Sequence, residues 1–281
     1  MAKKRTHTYH AEAFALSGQM HLPIKKEVKP LAYSKILDKK GGYLCQHHEN
    51  FRLERVASFS YAHTHVAGNL DDKPSHGWVT LATSAIENLN VLDIVTADRI
   101  VTQICVDHPP EGYVPTVTFL GSRFENLRIA GYPVDVKLDL AFVGPKPAND
   151  AAYCGDGDLI DRVKTQHNRV HAGKHLLSPE VLQRYTLPNS DSKKKRAFEC
   201  SLVHKADGDY PGQSFGHVID VPHFGKIYLA TLKIEESDFD PKTGVPKKTE
   251  FTLNMIEMQM GCVGSGGLTG GGGKTNGGNQ P

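Results

Sequence analysis

The 281-residue chain has no apolar run near the ~18 residues that a membrane-crossing helix needs. Its basic start, Met1-Ala2-Lys3-Lys4-Arg5, leads into a stretch broken by His10, Glu12, Ser17 and Gly18, so no secretory leader is expected. Neither sign of charge is in excess. With 33 Lys and Arg against 31 Asp and Glu the net charge is +2, which leaves no molecule-wide field to steer nucleic acid or an anionic membrane. The five cysteines (Cys45, Cys105, Cys154, Cys200, Cys262) are scattered and contain no Cys-x-x-Cys pair. That is a poor disulfide framework and a poor zinc site, and a reduced, cytoplasmic setting is the expectation. Catalytic signatures are missing too, with no Gly-x-Ser-x-Gly elbow and no dinucleotide fingerprint. Gly273-Lys274-Thr275 has the end of a phosphate-binding loop, but the required upstream glycine is Leu268 and no helix follows.

What is present is β-pattern. Segments 78–83, 94–106, 114–120, 134–143, 198–203, 226–234 and 251–260 are rich in Val, Ile, Thr and aromatics and are bounded by turn residues at 69–74, 107–112 and 240–244. In 58–65, alternation puts Phe59, Tyr61, His63 and His65 on one face of a strand. Two stretches echo each other: Ser84-Ala85-Ile86-Glu87-Asn88-Leu89-Asn90-Val91 and Ser122-Arg123-Phe124-Glu125-Asn126-Leu127-Arg128-Ile129. An internal repeat of strand-like units predicts a mainly β, antiparallel sandwich or barrel-like domain. Glu87, Asn88, Leu89, Glu125, Asn126 and Leu127 are its structural repeat residues, with the leucines, Ile86 and Phe124 expected inside.

A small helical insertion (about 146–195) breaks the pattern. One helix begins near Asp158 and a second at Pro179, with Ser178 as N-cap. The domain is expected to span 1–260, and the Gly-rich tail 261–281 to be flexible coil, since it has little apolar to pack.

Histidine is the chief source of candidate chemistry. His167 and His171 share a helix face at a four-residue spacing, but Asn168 stands where a metalloprotease pattern needs its glutamate. His63 and His65 are a second candidate metal pair, with Cys45, His47 and His48 as partners if the fold brings them close. Neither spacing completes a ligand set, so no cofactor is called for. Glu87 and Glu125 read as turn-satisfying carboxylates rather than a glycosidase pair, and the basic run 191–196 as a solvated loop.

The run Thr83 to Ile100, followed by Ser122 to Pro133, resembles the bacterial choice-of-anchor P domain, with a looser likeness over 225–261. The resemblance implies a bacterial, mostly β domain of unassigned activity, often on surface or secreted proteins, which sets a cell-surface location beside the cytoplasmic one. It brings no catalytic residues. The expectation is a noncatalytic protein that acts by interaction or self-assembly, as a homo-oligomer or with a protein partner, without membrane insertion. The alternatives are a metal-dependent enzyme using the insertion histidines and, by fold analogy alone, a carbohydrate-binding module.

Overall fold

A computed structural model describes residues 6–22, 25–70, 77–187, 195–261 and 265–280, with the backbone alone at 6 and 276–280. The basic start at 1–5, the turn residues 71–74, the basic residues 191–194 and Cys262 lie outside these residues. In chain order the strands are β1 Thr6–Leu22, β2 Lys26–Val28, β3 Ser34–Asp38, β4 Gly42–Leu53, β5 Ala57–Leu70, β6 Trp78–Val91 and β7 Val95–His108. Five short ones follow: β8 Thr116–Thr118, β9 Arg123–Glu125, β10 Arg128–Ile129, β11 Tyr132–Pro133 and β12 Asp135–Leu138. Helices α1 Gly157–His171 and α2 Pro179–Arg184 come next. The chain then forms β13 Lys195–Ser201, β14 Val203–Asp207, β15 Gln213–Phe215, β16 Val218–Val221, β17 Gly225–Phe239, β18 Pro246–Met260 and β19 Ser265–Gln280.

These strands form two open antiparallel sheets packed face to face. The first has the order β15-β16-β17-β18-β19-β1-β2, with β13 beside β17 and β3 beside β1. The second runs β11-β10-β7-β6-β5-β4, with β8 and β9 also on β7. The architecture is a mainly β, sandwich-like domain. The stretch 134–143, expected as a strand, is one only over Asp135–Leu138, which pairs with β14 apart from both sheets.

A transverse seam crosses each sheet and explains the sequence echo. In the second sheet Asn50, Asn88 and Asn126 adopt left-handed φ of 52°, 55° and 51°. The register places them in one row, opposite Ser60 and Asp98 on the intervening strands. Asparagine tolerates this conformation better than most residues. Asn88 Nδ2 donates to Ser60 Oγ at 2.8 Å, and Asn126 Nδ2 to Asp98 Oδ2 at 2.6 Å. Across the seam the alternation changes phase: alternate buried positions of β6 run 80, 82, 84, 86 and then 89, 91, with the small Ala85 buried as well. The pattern Ser-x-apolar-Glu-Asn-Leu-x-apolar is therefore a strand with one phase slip, met on both sides of β7. Leu89 and Leu127 are buried at 1% exposure, whereas Phe124 is only half-buried.

The same slip corrects the reading of β5. Phe59 is buried with Ala62, Thr64 and Val66, while Tyr61, His63 and His65 face outward. The first sheet has a matching row, with Ala230 (φ 46°) and Gly271 (φ 62°) on alternate strands, Met255 between them and Ala15 beyond Gly271.

The Gly-rich segment is not the free coil its composition suggested, and the domain does not end at 260. Ser265–Gln280 is a central strand, paired along its length with β1 and β18. Its glycines meet a close opposing sheet. Thr102 Oγ1 on β7 donates to the Gly271 carbonyl at 2.5 Å, and Ser84 Oγ on β6 to the Phe14 carbonyl at 2.9 Å. Hydroxyls that reach backbone across the interface require less than the usual ~10 Å between sheets, and only residues without bulk fit there. A Cβ at Gly271 would lie 2.7 Å from Thr102 Oγ1. On the opposite face the Phe14 ring lies over Gly272, where a Cβ would collide with it. The small size of glycine, read as inability to pack, is the condition of packing here.

Candidate site: the open edge and outer face of the second sheet

A sandwich must deal with the unpaired backbone at its sheet edges, which otherwise templates pairing with another chain. In this fold the insertion covers one edge. Strand β13 pairs with β17, and α1 lies along its other side. Gln166 Nε2 donates to the Ser201 carbonyl at 2.8 Å while the Ser201 amide donates back to Gln166 Oε1 at 2.9 Å, replacing a ladder pair. His167 Nε2 donates to the Glu199 carbonyl at 2.7 Å, and His171 Nε2 to the Tyr185 carbonyl at 3.0 Å. The two insertion histidines thus spend a ring nitrogen each on backbone and converge on no common ligand point. Burial, the largest cause, depresses the basicity of His167.

Below α2, Arg184 binds Glu199 through Nε and Glu257 through Nη2 (2.6 Å), with its guanidinium 4.7 Å from the Tyr228 ring centroid. Thr231 Oγ1 and Asn254 Nδ2 also donate to Glu257, the amide at 3.0 Å. This is the most charged internal cluster described, and it borders a cleft of about 320 Å³. Both oxygens of Glu257 accept donors and Glu199 is held by the same guanidinium, so the cluster anchors the insertion. Glu236 does similar work: fully buried, it accepts from the Tyr153 amide at 2.7 Å and the Cys154 amide at 3.0 Å.

The opposite margin is left open. Among the described residues strand β4 pairs only with β5, and its residues 42–47 are all exposed. The other unpaired edges among the described residues are strands of five residues or fewer, or are covered as β13 is. Charged or rigid residues usually blunt such an edge, yet β4 contains neither lysine nor proline. Five of the nine exposed large hydrophobic residues described fall in 22–44: Leu22, Tyr33, Leu37, Tyr43 and Leu44. Tyr43 and Leu44 lie on β4 itself, and Leu37 on β3, which packs against it.

The outer face beside this edge collects most of the residues singled out from sequence. Register sets His47 directly opposite His63 and Cys45 directly opposite His65. The next row is Glu49, Tyr61, Glu87, Arg99 and Glu125. Both repeat glutamates therefore flank Arg99, Glu87 reaching it at 3.8 Å, while Glu125 binds Arg123 at 2.6 Å. Burial first, then the Arg99 charge, lowers the basicity of His63 and favours its neutral ring. His48 points to the other face, against Phe51 and Phe59. Among the described residues no three His, Cys, Asp or Glu groups converge on one point as their side chains stand. Sequence reading missed Gln166 and Arg184; an isolated Gln or Arg on a short helix carries no signal of the strand edge it will meet.

No described helix is long and apolar enough to cross a membrane. No curated protein and no solved structure matches the chain. A family profile does, over residues 7–235, and the chain belongs to that family, described as a domain of unknown function (DUF8256).

Proposed function

We propose that this family member is a noncatalytic β protein that self-assembles, a second copy of the chain pairing antiparallel along β4. The observation that carries this reading is the contrast between edges: β13 is sealed by hydrogen bonds from α1, while the longer β4 presents its ladder unpaired. A two-fold antiparallel pairing is self-complementary and closes after two copies. Residues 42–53 carry one Glu and one Arg, so β4 does not repel its own copy. The exposed side chains of Tyr33, Leu37, Tyr43 and Leu44 add apolar area beside the edge.

The test is the mass in solution, by light scattering across a concentration series, of the wild type and a Leu44→Lys/Gln46→Lys variant. Lysines on an edge oppose pairing without entering the core. The wild type is expected as a dimer and the variant as a monomer with a similar melting temperature. A monomeric wild type at all concentrations removes the proposal.

A further inference from the structure

We propose that Cys45, His47, His63 and His65 form a zinc-binding site on the outer face of the β4–β5 hairpin. The two cross-strand pairs, Cys45 with His65 and His47 with His63, share one face because directly opposed residues of an antiparallel ladder point the same way. Opposed Cβ atoms stand ~5 Å apart and next-but-one residues along a strand ~6.7 Å apart. The four Cβ atoms thus bound a small quadrilateral whose centre is about 4 Å from each corner. An ion held above it is within reach of three imidazoles and one thiolate, the nitrogen and sulfur set that zinc takes in tetrahedral sites.

The chains need to turn toward that point. At present the His47 ring stacks near Tyr61 with centroids 6.3 Å apart, and His65 lies edge-on to Tyr43 at 6.3 Å. Cys45 and His47 are exposed, and the rings of His63 and His65 are half-buried. The exposed side chains of Cys45 and His47 exchange rotamers in picoseconds to nanoseconds, so they can turn toward the half-buried rings of His63 and His65. The hairpin backbone, held to β6 through His63–Ala85 and His65–Thr83, already fixes the four Cα positions. Binding releases the thiol proton of Cys45 to solvent and requires neutral imidazoles. This inference does not depend on self-assembly, since all four residues come from one chain.

The experiment titrates the full-length, untagged protein with Zn²⁺ against a chromophoric chelator and records the spectrum with Co²⁺ in its place. One equivalent per chain is expected, with a thiolate-to-cobalt charge-transfer band that disappears in Cys45→Ser. Loss of outer-shell partners alone weakens metal sites by about 10–100-fold, so His47→Ala and His63→Ala should each weaken binding at least as much. His48→Ala and His167→Ala, with unchanged circular dichroism, should leave it intact. Any of three results overturns the site: no zinc bound, equal binding by His47→Ala/His63→Ala, or half an equivalent per chain with zinc-driven dimerisation. The last would place the ion between copies.

Discussion

Alanine substitution at two glycines of β19 separates a docked strand from a free tail. Gly271 has φ 62°, and a Cβ there would stand 2.7 Å from Thr102 Oγ1 and 3.4 Å from Met255 Cβ. The left-handed conformation costs an L-residue roughly 1–2 kcal/mol, and overpacking adds about 1–3 kcal/mol. Thr102 has little freedom to retreat, because its hydroxyl is bonded to the Gly271 carbonyl. Gly271→Ala should therefore destabilise by about 2–5 kcal/mol. At roughly 2–3 °C per kcal/mol for a domain of this size, the melting temperature falls by about 4–15 °C. Gly267, four residues earlier, has no positive φ, and its Cβ would meet only the Met258 carbonyl at 3.6 Å. There alanine mainly restricts the unfolded chain and should be neutral or stabilising by about 0.4–1 kcal/mol. The assay is urea unfolding followed by circular dichroism for both variants beside the wild type. Equal, negligible changes at the two positions would refute the docked strand.

Three further outcomes follow from the same geometry. Thr102→Val keeps the shape but leaves the Gly271 carbonyl without its side-chain donor, and should cost about 1–2 kcal/mol by urea midpoint. At the seam, Asn88→Gly should be tolerated and Asn88→Val should cost about 1–3 kcal/mol, because a β-branched residue resists the φ of 55°; equal effects would mean that the seam is not strained. His217 is fully buried, and burial, followed by the Arg184 charge, pushes its pKa down to about 3. The unfolded chain then takes up the proton first as pH falls below ~6.5, so stability is lost between about pH 6.5 and 3, reaching about 2 kcal/mol at pH 5. His217→Gln should flatten that part of the urea-midpoint profile, and an unchanged slope would assign the acid sensitivity to other groups.

The sequence was most legible where one rule governed. Period-two runs located β5, β6, β7, β17 and β18, because each buries one face along its length, but β1 and β4 were not among the expected strands. It was misleading where a single residue changes phase. Phe59 and Tyr61 look equivalent by alternation, yet the seam at Ser60 puts them on opposite faces. Asn88 and Asn126 carried the clue, as their positions within the echo mark where apolar spacing goes from two to three. The tail failed for a different reason: composition measures what a segment brings to a core, whereas Gly271 is needed for what it leaves room for. Of the candidate site, the histidines and the repeat glutamates were visible as residues but not as neighbours. His47 meets His63 only because the turn at 54–56 sets the hairpin register, and nothing local marks β4 as the edge that stays uncovered.

Amide hydrogen exchange over residues 42–53, measured at low and high protein concentration, tests the self-assembly reading most directly. In a lone antiparallel edge, about half the amides face the neighbouring strand and half face water. The outward-facing half of β4 is expected to be protected at high concentration and to exchange rapidly on dilution, while β13 stays protected throughout beneath α1. Rapid exchange of that half of β4 at every concentration would contradict it.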